Sequence, residues 1–407
     1  MKFWIISLFD PTPIDKTAVG RYIGIANAAK RRSIDIIHFT STFRHTGKKH
    51  RFDEDTFIKD SDSYRIYYLH SMGYANNMSP KRFYAHHIYA TKLINAFKKL
   101  ENPDIILLSM PPLSIAYEVS KWAYENKIPF VIDIIDPWPD SFIKDIPNYL
   151  KFIGKPLLWP FRRKLIQSIE ASSAIIGISR EYVEWAKRQS RKARAKPSEY
   201  FFPAVDLDSV QNELSYIEKK YNDKLTLVYA GSLASSYDIS SILEAAKYFD
   251  EFYHGRTHFY IAGIGPKQKK VIEYASQHKN IEYLGMLNRG ELFKVYKNSD
   301  LGVMQHMNSL TQTVTYKVFS YLSAGLPILN SLQSEVVHII EENKVGLCNK
   351  EQDVNSLISN IEIYLNDKNR LEEEKVNAIN TTKRLGDSKT VYEKLVDFLI
   401  KISNCHL

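Results

Sequence analysis

Short apolar runs alternate with amphipathic stretches along most of the chain. Phe3–Phe9, Ile34–Phe39, Ile66–Leu69, Ile105–Ser109, Phe130–Ile135 and Ala174–Ile178 are strand-length runs with little polar interruption, which suits strands covered on both faces. Tyr22–Ala29, Arg82–Lys99 and Ile115–Asn126 carry a helical period between them. This alternation predicts a doubly wound parallel sheet. A second series follows Phe202-Pro203-Ala204-Val205-Asp206, with strands at Leu225–Tyr229, His258–Ala262, Ile281–Leu284, Leu301–Met304 and Pro327–Asn330 and helices such as Ile239–Phe249 and Lys267–Gln277. Phe43–Ser63 is polar without a clear period and predicts a loop. The expected organisation is an α/β chain of two domains, 1–205 and 206–387, with a last helix within 388–407.

Composition agrees with a chain folded throughout. At 407 residues two cores are expected rather than one. Hydrophobic residues at 44% and charged residues at 25% are ordinary globular values and leave no tract biased enough to stay unfolded. Two cysteines, Cys348 and Cys405, make neither a disulfide framework nor a metal site and point to a reducing compartment. The opening apolar run stops at Asp10-Pro11, so it reads as a first buried strand and not as a signal segment. No run approaches the length needed to span a bilayer.

Charge changes the picture more. The net charge is +9, and Lys151–Lys196 alone holds twelve Lys or Arg against Glu170, Glu181 and Glu184, an excess of 12 − 3 = 9. Phe152, Leu157, Leu158, Trp159, Phe161 and Trp185 are interleaved with them. Basic and large apolar residues together suit an anionic bilayer surface. An ordinary solvated helix face over core aromatics accounts for the same pattern. No nucleic-acid recognition motif accompanies the charge, so no nucleic-acid partner is expected.

The candidate chemistry lies where predicted strands end. Tyr229-Ala230-Gly231-Ser232-Leu233 follows a strand and precedes a helix, so Gly231 and Ser232 open a place where backbone amides can meet an anion. Ile261-Ala262-Gly263-Ile264-Gly265-Pro266-Lys267 repeats the arrangement one strand later. Tyr316-Lys317-Val318-Phe319-Ser320-Tyr321-Leu322-Ser323-Ala324-Gly325-Leu326-Pro327-Ile328-Leu329 reads as a lysine opening an apolar helix, a small-residue stop and a buried strand.

In order and spacing these segments, with Gly285-Met286-Leu287, resemble the family-4 retaining glycosyltransferases, whose nucleotide-sugar segment has the form K-x-F-E-Y-x-A-A-G-x-P. In the first half, Ile135-Asp136-Pro137-Trp138-Pro139-Asp140-Ser141 resembles the R-D-L-W-P-E-S segment of the subgroup that builds bacterial capsule, O-antigen and exopolysaccharide chains. Ser109-Met110-Pro111-Pro112 and Phe43-Arg44-His45 resemble its S-x-P-P and F-x-H loops, and Gly20-Arg21 stands where the family's N-terminal loop nears the diphosphate. Two positions depart from the pattern: the family's ribose-gripping Glu is Ser320, and the Glu eight residues earlier is Gln312.

The resemblance implies a GT-B architecture, two Rossmann-like domains with parallel sheets facing an interdomain cleft, and a last helix that crosses back to the first domain. It implies a nucleoside-diphosphate sugar donor, UDP-linked by expectation, and a lipid-diphosphate-linked saccharide acceptor at the cytoplasmic face of the inner membrane. No cofactor and no metal are expected. Gly20, Gly231, Ser232, Gly263, Gly265, Pro266, Lys317, Val318 and Ser320 are the expected donor contacts, and His45, Ser109 and Trp138 the acceptor contacts. Breaking a sugar–diphosphate bond leaves negative charge on the departing nucleotide, which fixed cations stabilise; Lys317 and Arg21 are the expected cations. Asp136, at the end of a strand, is expected to orient the acceptor or touch the donor sugar, with a helix N-cap as its plainer role. Two other readings share the architecture. A nucleotide-sugar 2-epimerase needs acid and base carboxylates in the cleft, and a catalytically silent GT-B subunit would accommodate Ser320 and Gln312.

Overall fold

The computed structural model describes residues 1–15, 20–76, 79–144, 158–220, 223–307 and 312–405. The chain divides into two compact units, Met1–Phe202 with Val391–Leu407 and Pro203–Thr390.

The first unit is built on eight strands, β1 (Lys2–Ile6), β2 (Asp35–Ser41), β5 (Thr56–Ser61), β6 (Tyr64–Leu69), β7 (Ile105–Met110), β8 (Phe130–Ile134), β9 (Ala174–Gly177) and β10 (Ser198–Tyr200), with a small hairpin of β3 (Phe43–Arg44) and β4 (Lys49–His50) beside them. The sheet order is β10-β9-β8-β7-β1-β2-β6-β5. All pairs are parallel except β5 with β6. The chain runs from β1 to β2 on one side and returns to β7 on the other, so the strand order reverses between β1 and β7. Open α/β sheets bind ligands beyond the carboxyl ends of the strands at such a reversal.

The stretch 43–63 corrects the sequence expectation, because it forms the β3–β4 hairpin and the edge strand β5 and not a plain loop. β5 pairs on one side only, and its side chains are exposed or half-exposed. Charged residues such as Lys59 and Asp60 are tolerated on an edge and erase the apolar run by which inner strands are read.

Trp4 anchors the first core, its ring 5.2 Å from Phe39, 4.6 Å from Phe97 and 5.6 Å from Trp122. On the helix Arg21–Arg31, Gly24 leaves room for Tyr392 of the C-terminal helix Ser388–Asn404, since a Cβ there would lie 2.3 Å from the tyrosine ring. Arg31 and Arg32 bind Glu393 on the same helix at 2.7 and 3.1 Å.

A buried ion pair closes this unit from within. The guanidinium of Arg21, 1% exposed, donates to both carboxylate oxygens of Asp133, 0% exposed, at 2.7 and 3.1 Å, and to the Phe201 carbonyl at 2.7 Å. The Tyr22 hydroxyl donates to Asp133 at 3.0 Å. The first helix, the sheet centre at β8 and the end of the first unit are thereby tied together.

The second unit has six parallel strands, β11 (Leu225–Ala230), β12 (Thr257–Ala262), β13 (Ile281–Gly285), β14 (Leu301–Met304), β15 (Ile328–Asn330) and β16 (Gly346–Cys348), in the order β13-β12-β11-β14-β15-β16. Its reversal falls between β11 and β14. Leu227, Tyr229, Phe249, Ile261, Val303 and Leu329 are among the residues of its core.

Removing one partner of a buried pair leaves the other charge uncompensated, which costs about 3–5 kcal/mol. Asp133→Ala is therefore expected to lower the unfolding free energy by about that amount, whereas Arg21→Met with Asp133→Leu should cost much less. Urea unfolding of the three proteins reads this, and an Asp133→Ala protein as stable as the parent would show that the pair is not structural.

Candidate functional site

The site of the second unit starts from two strand-end turns that lie against each other. After β11 the chain turns at Gly231 (φ +154), and after β12 at Gly263 (φ +138) and Gly265 (φ +156). A Cβ on Gly263 would fall 1.8 Å from the Gly231 carbonyl oxygen, and one on Gly265 would fall 2.7 Å from the Leu233 backbone. Only glycine satisfies both the dihedral angle and the space. Hydrogen bonds lace the turns: Gly231 N–H donates to Ala262 O at 2.9 Å, Leu233 N–H to Ile264 O at 3.0 Å and Lys267 N–H to Leu233 O at 3.1 Å. Ser232 and Pro266 are exposed on them.

Onto these turns comes Lys317, from the first turn of the helix Tyr316–Ser323. A Cβ on Gly231 would lie 2.4 Å from the lysine Cε and Nζ. The ammonium sits 4.4 Å from the centroid of the Tyr229 ring and 4.0 Å from that of Tyr237, with the Tyr229 hydroxyl at 3.3 Å. Tyr321, one helical turn on, accepts from Ala230 N–H at 2.9 Å and fixes the helix to the end of β11. Among the described residues Lys317 has no carboxylate partner. Desolvation pulls its ammonium down to about 7. Two aromatic faces attract a cation, but they do not neutralise it.

Other expected donor residues are placed differently. Val318, the residue after Lys317 on the same helix, is fully buried. Ser320 turns its hydroxyl back to the Tyr316 carbonyl at 2.8 Å, a common arrangement for a serine within a helix. The Gln312 carbonyl oxygen is buried without a hydrogen-bond partner.

One residue here escaped the sequence reading. His306 follows β14 at the sheet reversal, is fully buried, and has its ring 5.0 Å from that of Tyr237. Desolvation pushes its imidazole down to about 4, with the Lys317 charge adding to the drop. The signal was the polar pair Gln305-His306 directly after an apolar strand.

In the first unit, Arg21 is corrected. Its guanidinium is spent on Asp133 and Phe201, so it is not a cation available to a leaving group. Gly20 precedes that helix, and a Cβ there would lie 2.9 Å from Pro11. Asp10, after β1, faces this network, and desolvation pushes its carboxyl up to about 7 against the pull of Arg21. Ser109 is buried at the end of β7 beside Tyr22. Asp136 accepts from the Trp138 indole N–H at 3.0 Å, which holds the Trp138 ring. His45, on the β3–β4 turn, meets the Tyr74 hydroxyl at 2.8 Å.

Of the basic segment, 151–157 lies outside the described residues. In the helix Trp159–Ala171, Trp159 is 59% exposed with Arg163 over its ring at 5.7 Å. Leu158, Phe161 and Trp185 pack on the core instead. Among the described residues no helix is long and apolar enough to cross a membrane.

Residues 210–384 match a known family, glycosyl transferases group 1. The matched residues lie within the second unit. As an enzyme, the chain is a glycosyltransferase. No curated protein sequence matches it. Solved structures resemble it over almost its full length. Sucrose-phosphate synthase from Thermosynechococcus elongatus is 12% identical with a TM-score of 0.71, covering 99% of each chain. A UDP-forming trehalose-phosphate synthase from Burkholderia xenovorans is 10% identical with a TM-score of 0.74, covering 99% of this chain and 100% of its own. Anabaena HepE in complex with UDP-glucose is 10% identical with a TM-score of 0.65, covering 98% and 100%. At these identities the likeness carries the fold, which is GT-B.

Lys317 binds its proton less firmly in the folded chain, at about 7, than at the ordinary lysine value of 10.5. Between these values the unfolded chain holds more protons, so this residue makes stability rise with pH across that window. Below the window both states are charged, and the full cost of burying the ammonium is present. Lys317→Met is accordingly expected to stabilise the fold most at about pH 6 and progressively less towards about pH 10. Urea unfolding across that range checks the sign. A gain independent of pH would place the ammonium in water.

Proposed function

We propose that this chain is a retaining glycosyltransferase of family-4 type that moves a sugar from a UDP-linked donor to a lipid-diphosphate-linked saccharide in the synthesis of a bacterial surface polysaccharide, a capsule, O-antigen or exopolysaccharide. The observation that carries the donor half is the Lys317 ammonium, desolvated between Tyr229 and Tyr237 over the Gly231 turn, without a carboxylate among the described residues. A diphosphate supplies the missing negative charge. Anabaena HepE, of the same fold, was solved with UDP and with UDP-glucose, which supports a nucleotide-sugar donor.

In this reading the bond between the anomeric carbon and the diphosphate oxygen breaks, and the electron pair leaves with the diphosphate. Lys317 and the amides of the glycine turns meet that charge in a partly dehydrated place, where they act more strongly than in water. The acceptor hydroxyl attacks from the same face, and its proton passes to the departing diphosphate oxygen. No protein nucleophile is invoked. The acceptor half rests on the segment resemblance around Asp136 and on the basic helix that exposes Trp159, which suits the anionic cytoplasmic face of the inner membrane.

Lys317→Ala is expected to lower turnover about 100- to 1,000-fold, the usual scale for losing one preorganised charge-stabilising group. Sugar transfer from UDP-sugars to a polyprenyl-diphosphate saccharide, measured beside UDP binding, tests this. Nucleotide binding without transfer by the parent protein would favour the silent subunit, and unchanged turnover in Lys317→Ala would sink the assignment.

Reversing charge at Arg162, Arg163 and Lys164 is expected to weaken binding to vesicles of anionic phospholipid about 100-fold or more, and raised salt to weaken the parent similarly. If co-sedimentation is unaffected by both changes, the segment is a solvated face.

A further inference from the structure

A second group of buried polar side chains lies at the carboxyl end of the first unit's sheet, and the donor chemistry does not use it. Its centre is Arg82, on the helix Pro80–Phe97 and only 6% exposed. The guanidinium carbon lies 4.7 Å from the Trp138 ring centroid, 5.2 Å from that of Phe9 and 5.6 Å from that of Tyr74. Three segments far apart in sequence thus wall one cation, which fixes its plane and keeps water off its faces.

A second cation is aimed at the same wall. The β3–β4 turn puts Gly47 at φ +85 and Lys48 at φ +52, in the left-handed region that a lysine adopts only at a cost. That turn sets the Lys48 ammonium 4.7 Å from the Tyr74 centroid and 3.3 Å from the His45 ring nitrogen. Desolvation and then the Arg82 charge lower the Lys48 ammonium from its ordinary value. Two cations held this close repel, and the Tyr74 hydroxyl, hydrogen-bonded to Arg82, and the Asp136 carboxylate are neighbours that offset the Arg82 charge in part.

The histidines complete the group. His86, one helical turn after Arg82 and 2% exposed, has its Nε2 buried with no hydrogen-bond partner. Its ring lies 5.7 Å from Phe9 and 6.0 Å from Tyr74. Desolvation, reinforced by Arg82, holds His86 down to about 3 and His45 to about 4, so both rings are neutral near pH 7. A neutral imidazole offers one N–H donor without adding charge. An unmet buried nitrogen costs free energy that a ligand recovers.

We propose that this cage is the acceptor's phosphate subsite, with Arg82 and Lys48 binding phosphate oxygens and His86 donating a further hydrogen bond. A phosphate brings several acceptor oxygens and a negative charge, which suits a planar fork, an ammonium and a neutral N–H converging on one place. The assignment rests on the glycosyl-transfer reading and goes beyond it by giving the acceptor's anionic group a place in the first unit. A lipid-linked diphosphate and a soluble sugar phosphate carry the same chemistry.

The test uses the full chain, first saturated with UDP to fill the donor site and then titrated calorimetrically with inorganic pyrophosphate. Lys48→Ala, on a partly exposed turn, and Arg82→Gln are each expected to weaken pyrophosphate binding about 10- to 100-fold, the worth of a hydrogen bond to a charged group, with UDP affinity unchanged. Pyrophosphate affinity equal to the parent's in folded Lys48→Ala and Arg82→Gln overturns the proposal. Competition then names the source. Displacement by a polyprenyl-diphosphate saccharide in detergent micelles, or by a hexose phosphate, supports the subsite and identifies its ligand, and displacement by neither overturns it. Failure of UDP to bind sinks the donor reading alone, since the two variants still decide the cage in that protein.

Discussion

In the second unit, the turns after β11 and β12 approach so closely that a single Cβ on Gly263 would meet the Gly231 carbonyl at 1.8 Å. The other features of that site follow from this contact. Gly231 in turn has no side chain because the end of Lys317 occupies the space where one would be. The lysine is held there by a helix whose Tyr321 hydroxyl bonds Ala230, the residue before the turn. Backbone, cation and aromatic faces thus form one assembly; a methyl group at Gly263 would meet backbone that cannot yield, and one at Gly231 would push the end of Lys317 away.

The two units treat buried positive charge in opposite ways. Arg21 meets a carboxylate through two hydrogen bonds, a tyrosine hydroxyl bonds that carboxylate, and a backbone carbonyl takes a third guanidinium bond. Its charge is settled within the fold. Lys317 has aromatic faces and a hydroxyl but no carboxylate among the described residues, and its ammonium falls to about 7. A buried cation without a counter-ion destabilises the empty protein. Such a cost is tolerated where a ligand repays it. By this criterion the charge of Arg21 belongs to the fold, while that of Lys317 is left for the ligand that the proposed function assigns to it, although both looked alike as candidate cations in the sequence.

That difference explains what was legible. The inner strands could be read because burial on both faces demands apolar runs, and the glycine turns because close backbone approach demands glycine. The edge strand β5 was not legible, since exposed positions carry no period. The partner of Arg21 lies 112 residues away at Asp133, and no local pattern announces such a pair. Val318 shares a motif with Lys317, yet successive helix residues point to different faces, and the motif could not say which of the two lies against the Gly231 turn. The cage around Arg82 joins the ends of β1 and β8 to the β3–β4 turn and the helix Pro80–Phe97. Arg82 and His86 lie in none of the segments that resemble the family, and only the folded sheet brings them to Phe9 and Trp138.

The departures at Ser320 and Gln312 make sense as a change in charge as well as a loss of grip. The resembling family places a glutamate at each position, whereas here one is a hydroxyl turned back on its own helix and the other an uncharged amide. Ribose hydroxyls lose a carboxylate that accepts two hydrogen bonds at once. Two negative charges are also removed from the surroundings of Lys317, so its field is less offset where the diphosphate would lie. Under the proposed donor reading, recognition would therefore rest more on the diphosphate than on the ribose. Desolvation lowers the Lys317 ammonium to about 7, and in that reading the negative charge of a diphosphate would strengthen its hold on the proton.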